Sequence, residues 1–140
     1  MTITADQSRT IIDATLAKGR EMGLKPLSVV VLDAGGHPLA FHREDGAAPG
    51  RFEIARGKAY GAVMLGMGGQ AQMARAEGQA YFMAAVNGAY GGRTIPVPGG
   101  VLVLSDGRVI GAVGVTGDTS DNDEQAALAG IAAAGLEAQP

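Results

Sequence analysis

Two apolar runs, Val101-Leu102-Val103-Leu104 and Arg108-Val109-Ile110-Gly111-Ala112-Val113-Gly114-Val115, decide the fold of this chain, because Asp106-Gly107 lies between them. That dipeptide tolerates positive φ and is a strong signal for the turn of a β-hairpin. The polar loop Thr116–Asn122 follows, and the segment Asp123–Glu137 then has the pattern of a terminal helix. We therefore predict a strand, a tight turn, a second strand and a helix over the last third of the chain.

The rest of the chain alternates helical and extended patterns in a similar order. Thr4 and Gln7 have the spacing of a capping box at the start of the first helix. The uninterrupted apolar run Val29–Leu32 is typical of a strand that is covered on both faces. Ile95–Pro98 can be extended, but its two prolines confine it to an edge or a bulge. The other predicted elements are a helix over Thr4–Met22, a hairpin over Leu27–Asp33 and His37–Arg43, and helices over Arg51–Met67 and Gln70–Val86.

Hairpins imply antiparallel pairing of their strands. The helices predicted before, between and after the hairpins would then pack on the resulting sheet. We predict an α+β fold, a central antiparallel sheet of about five strands flanked by helices, forming a single domain over residues 1–140.

Composition narrows the classes of function. The chain has 140 residues, 46% of them hydrophobic, no cysteine and a net charge of −3. The absence of a basic patch and the small share of aromatic residues argue against a nucleic-acid partner. We see neither a signal peptide nor an apolar run of about 20 residues, so we expect a soluble, cytoplasmic protein without a membrane partner.

Three segments carry the polar groups of a candidate ligand pocket. The turn Pro98-Gly99-Gly100 can expose backbone amides, as anion sites require, or it can simply bend the chain into a strand. The segment Thr116–Glu124, which contains Asp121, can line a pocket at a helix N-terminus or serve only as a helix cap. Lys58 lies among small and apolar residues, where it can hold a carboxylate or, if buried, act as an amine of lowered pKa.

His37 and His42 are the only histidines. Their odd separation places them on opposite sides of a regular strand, so they would not bind one metal ion together, and we predict no metal site. Either residue alone can serve as an axial ligand of a heme.

Glycines interrupt the helical patterns at Gly57, Gly61, Gly66 and Gly78, each at a cost of roughly 0.5–1 kcal/mol relative to alanine. Close packing against a sheet or another subunit explains such positions. Close approach of the backbone to a bound ligand is the alternative.

The order of these motifs resembles the GlcG/HbpS family, which includes the heme-binding protein HbpS, the glycolate-utilisation protein GlcG and the C-terminal domain of PduO-type proteins. The resemblance covers almost the whole chain and implies an antiparallel sheet flanked by helices, frequent oligomers and a cleft near the Pro-Gly-Gly turn. It also implies that Lys58, Gly99, Gly100, Thr116 and Gly117 are pocket positions. The motifs that carry it are Val31-Leu32-Asp33-Ala34-Gly35-Gly36-His37, Ala55-x-x-Lys58-Ala59, Pro98-Gly99-Gly100-Val101, Asp106-Gly107 through Gly117, and Asp123-Glu124 with Ala129-Gly130-Ile131.

We therefore expect a homo-oligomeric protein that binds a small ligand, with heme or a related tetrapyrrole as the first ligand to test. His37 or His42 would be the axial ligand, and Lys58 or an arginine would pair with a propionate. The alternative is an enzyme without a cofactor that acts on a small carboxylate or carbonyl compound, in which Lys58 is the catalytic residue and the amides near Gly99 and Gly100 stabilise negative charge. A third reading is a structural or assembly protein without a ligand.

Overall fold

A computed structural model describes residues 1–140 and contains five helices and five strands. The predicted hairpins and the first, second and terminal helices are present. The capping box at Thr4 is also present, since its hydroxyl accepts a hydrogen bond from the amide of Gln7. The elements are α1 (Ala5–Glu21), β1 (Ser28–Asp33), β2 (Pro38–Arg43), α2 (Arg51–Leu65), α3 (Gly69–Gly78), α4 (Ala80–Ala89), β3 (Gly100–Ser105), β4 (Arg108–Thr116), α5 (Ser120–Ala133) and β5 (Glu137–Gln139).

All five strands form one antiparallel sheet in the order β2-β1-β4-β3-β5. The two hairpins therefore join through their inner strands, and β1 pairs with β4 over its whole length. β1 and the part of β4 that pairs with it, Gly111–Thr116, are buried on both sides, as the continuous apolar run in β1 predicts. The predicted α+β class and the central antiparallel sheet are confirmed.

Alternation along the strands divides the core into two layers. Val29, Val31 and Val113 pack with the apolar residues of α1 and α5 on one face. Val30 and Ala112 pack against α2 on the other face. The sheet thus separates the α1–α5 layer from the α2 layer.

Helix α2 approaches the sheet closely because two glycines lie beneath it. Gly100 and Gly114 stand opposite each other on β3 and β4. A Cβ atom at Gly114 would overlap the carbonyl oxygen of Ala55, and one at Gly100 would overlap that of Lys58. The absence of side chains at these two positions brings Lys58 to the end of β4.

The predicted helix over Gln70–Val86 is wrong, because two shorter helices, α3 and α4, occupy this region. The chain breaks at Gln79, whose φ of −141° and ψ of 64° are not helical. The side chain of Gln79 accepts a hydrogen bond from Arg75, which holds the break in place.

The end of the chain also differs from the prediction. Helix α5 begins at Ser120 because the Thr119 side chain caps it by accepting from the amide of Asn122. It ends at Ala133, and Gly135, with a φ of 73°, turns the chain back along the sheet. Residues Glu137–Gln139 then form the edge strand β5 beside β3, whereas Ile95–Pro98 forms no strand.

Close packing explains two of the four glycines in the helical patterns. Side chains at Gly57 and Gly61 would meet Ile95 and Gln72 within 3 Å. Gly66 ends α2 in the left-handed conformation, and Gly78 faces open space. No helix in the chain combines the length and the apolar character needed to cross a lipid bilayer.

Candidate functional site

Lys58 is held in a buried ion pair. Its ammonium group donates to the carbonyl oxygen of Val115 at 2.9 Å and to Oδ2 of Asp123 at 3.2 Å. The Lys58 side chain is 3% exposed and that of Asp123 is 1% exposed. Helix α2 supplies the amine, β4 the carbonyl and the first turn of α5 the carboxylate.

Burial dominates the electrostatics of the pair. Desolvation lowers the pKa of Lys58, and the opposite charge of Asp123 only partly offsets that effect. Desolvation likewise raises the pKa of Asp123, against the influence of the Lys58 charge and of a hydrogen bond from the Asp118 amide. For each of the two groups, burial therefore works against the charged form, and the charge of the partner works in its favour.

Three predicted pocket positions surround the Lys58 amine. A Cβ atom at Gly99 would lie 3.0 Å from Nζ, and Gly100 lies under the Lys58 backbone. Thr116 follows the carbonyl that Lys58 binds, and its hydroxyl accepts a hydrogen bond of 2.9 Å from Arg51. Pro98, Gly99, Gly100 and Thr116 are all buried. The structure therefore brings these residues together with Lys58 in a packed cluster.

The segment after β4 is fixed by hydrogen bonds. Asp118 accepts from the amide of Lys25 at 3.0 Å, from the amide of Thr119 and from the Asn122 side chain. These bonds lower the pKa of Asp118 to about 2, with the bond from Asn122 as the largest cause. Gly117, with a φ of 147°, lets the chain pass close to the carbonyl of Pro26.

Glu124 and Asp121 differ in burial although both were predicted to bind ligand. Glu124 is 5% exposed, and its Oε1 atom is buried without a hydrogen-bond partner. Burial, with a smaller contribution from the charge of Asp121, raises the pKa of Glu124. Asp121 is exposed. Of the two, only Glu124 presents an unsatisfied acceptor.

Asp123 and Arg51 belong to this cluster but were not among the predicted site residues. A buried lysine requires an acidic partner, and this requirement was the only signal in the sequence that pointed to Asp123. Four acidic residues lie in the segment 118–124, so the requirement alone did not identify which of them pairs with Lys58. None of the surface cavities is lined by Lys58, Gly99, Gly100 or Thr116. The amine itself occupies the space between α2 and the end of β4.

The two histidines lie away from this cluster. His37 is exposed in the turn before β2, where its amide donates to the Asp33 carboxylate. His42 is exposed on β2, at a cleft of about 420 Å³. The cleft is also lined by apolar and charged residues of α1, the segment before β1 and the segment after β2, namely Leu16, Arg20, Leu24, Pro26, Glu44 and Asp45.

Known proteins share both the sequence and the fold. Residues 3–132 match the family described as haem degrading protein HbpS-like. Protein GlcG of Escherichia coli strain K12 is 36% identical over 116 residues, which cover 78% of this chain and 80% of GlcG.

Two crystal structures extend the comparison. A double mutant of HbpS from Streptomyces reticuli has a TM-score of 0.80 and 28% identity, covering 94% of this chain and 86% of that one. The PduOC–heme complex superimposes with a TM-score of 0.88 at 22% identity over 98% of each chain, and at that identity it shows the shared fold alone. By the match over residues 3–132 and the identity with GlcG, the chain belongs to the HbpS-like family.

Proposed function

We propose that this protein binds heme or a related tetrapyrrole in the cleft beside His42. The observation that carries the proposal is the position of this imidazole on a cleft of about 420 Å³, a size typical of small-ligand sites. The family description, which names haem, supports heme as the ligand to test, and a protein of the same fold has been crystallised as a heme complex.

The residues of the cleft suit the chemistry of a heme. A single imidazole is sufficient for axial ligation. Leu16, Leu24 and Pro26 supply apolar contacts, and Arg20 supplies a cation for a propionate. Arg20 pairs with Glu44 at 3.2 Å, but its side chain is well exposed, so it can reorient towards a ligand at little cost.

The chain's own groups would set the orientation of the ligand. Glu44 holds the cleft wall in place, because its Oε1 atom accepts from the Leu27 amide at 2.8 Å. Arg20 is the only arginine or lysine in the lining, so a propionate would be drawn to it in place of Glu44. The bound heme would supply redox chemistry at its iron, and the protein would supply the axial donor and the orientation.

A hemin titration followed in the Soret region tests the proposal. We expect a sharp, saturable band in the wild type and in His37→Ala, and its loss in His42→Ala. The two substitutions are matched, because both histidines are exposed and both lie on or next to β2. A broad, non-saturating spectrum in the wild type, or a sharp band that persists in His42→Ala, would contradict the proposal.

A second candidate is a cofactor-independent enzyme acting on a small carbonyl or carboxylate compound. It is favoured by the lowered pKa of the Lys58 amine beside the Asp123 carboxyl, whose pKa is raised, since such pairs occur at catalytic sites. Incubation with pyruvate and sodium borohydride tests it. An amine of lowered pKa condenses with the ketone, releasing water, and hydride from borohydride reduces the imine. Peptide mapping then locates the adduct. More adduct at Lys58 than at Lys18 and Lys25 would support the proposal that the protein is an enzyme. Adducts at Lys18 and Lys25 alone would exclude Lys58 as its catalytic amine.

We also propose that the protein is a homo-oligomer that associates through α4. This helix packs only against α3, and its residue Tyr81 is 75% exposed. Because α4 carries no charged side chain, contact with a second copy brings no like charges together. Light scattering should show that Tyr81→Lys dissociates the assembly while Val109→Lys, at an exposed apolar residue on β4, does not; equal masses for all three proteins would contradict the proposed interface.

A further inference from the structure

A cavity of about 240 Å³ opens between α2 and the segment that follows α4, away from the His42 cleft. Arg56 and Arg93 line it from opposite sides, together with Ile54 and Ile95. It shares no residue with the cleft around His42. Nothing in the proposed heme site uses these groups.

Both arginines are arranged around one aromatic ring. The guanidinium carbon of Arg93 lies 4.5 Å from the centroid of the Tyr60 ring, and that of Arg56 lies 5.9 Å from it. Tyr60 is itself buried, and its ring packs edge-to-face with that of Tyr90, with the two centroids 6.2 Å apart. The ring therefore brings two cations together on a fixed platform.

Neither cation forms an ion pair. All ion pairs of the chain lie elsewhere, and no carboxylate is within 4.0 Å of Arg56 or Arg93. The Nε atom of Arg56 is buried without a hydrogen-bond partner. Arg93 uses its Nε to donate to the Tyr90 carbonyl, which leaves its terminal nitrogens free. A buried unsatisfied donor beside a second cation is costly unless an anion occupies the cavity.

We propose that this cavity binds the carboxylate of a small organic acid. The planar, forked guanidinium groups match the geometry of a carboxylate. Ile54 and Ile95 supply contacts for an apolar body, and Glu53 in the lining disfavours a doubly charged phosphate. Arg56 and Arg93 are the donors, and the ligand is a monoanion with a short hydrocarbon chain.

Titration with butyrate, followed through the ¹H–¹⁵N signals of the arginine Nε–H groups, tests the proposal on the intact protein. We expect saturable shifts of the Arg56 and Arg93 signals, and none with butyramide, which has the same shape without the charge. Arg56→Gln and Arg93→Gln should each weaken butyrate binding by about tenfold or more, the effect of losing a charge-assisted hydrogen bond.

Arg75→Gln is the matched control, because it also removes a guanidinium from above a ring, that of Phe82 at 4.4 Å, but lies outside the cavity. It should bind butyrate like the wild type. Equal affinity in the wild type and in Arg93→Gln would overturn the site. Tighter binding of inorganic phosphate than of butyrate would overturn the carboxylate assignment. Because these readouts do not involve heme, the hemin titration can fail without affecting them.

Discussion

The Lys58 ammonium lies 3.2 Å from Oδ2 of Asp123, and this pair joins two helices that cover opposite faces of the sheet. Lys58 comes from α2 and Asp123 from the first turn of α5, where the positive end of the helix dipole also favours a carboxylate. The pair meets at the C-terminal end of β4, at the Val115 carbonyl. The ion pair therefore links the two helical layers at the end of the sheet where the predicted pocket residues lie close together.

Removal of either partner should leave a buried charge without its counterion. We expect Lys58→Met to lower the free energy of unfolding by about 3–5 kcal/mol, the usual cost of breaking a buried pair. In Lys58→Met/Asp123→Asn the loss should be about 2 kcal/mol smaller than the sum of the single losses, because neither charge remains. Asparagine is the matched replacement, since its oxygen can still accept from the Asp118 amide. Urea unfolding of the four proteins measures the coupling, and additive losses would mean that the pair contributes nothing to stability.

Glu124 should make the protein less stable as pH rises. Its folded pKa lies above the usual 4.5, so between these two values the folded state binds more protons than the unfolded state. The free energy of unfolding therefore falls as pH rises through that window. We expect Glu124→Gln to remove this fall and to gain about 1 kcal/mol at pH 7, because it removes a buried charge whose Oε1 lacks a donor.

The comparison of Glu124→Gln with wild type requires a pH series. The two proteins should converge in acid, where Glu124 is protonated. Glu77→Gln, at an exposed residue of α3, is the control and should follow the wild type at every pH. A constant difference between Glu124→Gln and wild type across the series would contradict the raised pKa.

Asp118 should show the opposite pH dependence. Hydrogen bonds lower its folded pKa to about 2 from 3.8, so the unfolded state binds more protons between these values. The contribution of Asp118 to stability is complete above pH 3.8 and is lost as pH falls through about 2. Carboxyl ¹³C titration should find a midpoint for Asp118 well below 3.8. A midpoint at 3.8 would mean that the bonds from Asn122, Lys25 and Thr119 do not persist in solution.

Uninterrupted apolar runs and the Asp106-Gly107 turn made the sheet predictable, whereas contacts between residues distant in sequence were not predictable. Val29–Leu32 is apolar without interruption, and a strand with this pattern is buried on both faces wherever it lies. The small neighbours of Lys58 indicated that it could be buried. Its partner lies 65 residues away, and which acid turns inwards depends on the register of α5, which Thr119 sets by capping the helix at Ser120.

The break between α3 and α4 and the Arg56–Arg93 cavity were not predicted from the local sequence pattern. Alanine and methionine continue across Gln79, so the break between α3 and α4 was not predicted, although Gly78, a poor helix former, directly precedes it. The Arg56–Arg93 cavity arises because Tyr60 gathers two arginines that are 37 positions apart. Basic residues on α2 were visible in the sequence, but the lack of an ion pair at Arg56 was not.

The contact between α2 and the sheet should tolerate no side chain at Gly114. An alanine there places a methyl group against the Ala55 carbonyl oxygen. The methyl group would be attached to a strand and the carbonyl belongs to a helix, so neither can give way unless the helix moves. We expect Gly114→Ala to lower the free energy of unfolding by about 3 kcal/mol, at the upper end of overpacking effects. The displacement of α2 would also carry Lys58 away from Val115 and Asp123, so the loss should be smaller in a Lys58→Met background.

Gly78→Ala is the matched control, because this helical glycine faces open space, and the added methyl should raise stability by roughly 0.5 kcal/mol. Equal effects of the two alanines in urea unfolding would show that the close approach of α2, and with it the geometry of the Lys58 cluster, does not depend on the glycine.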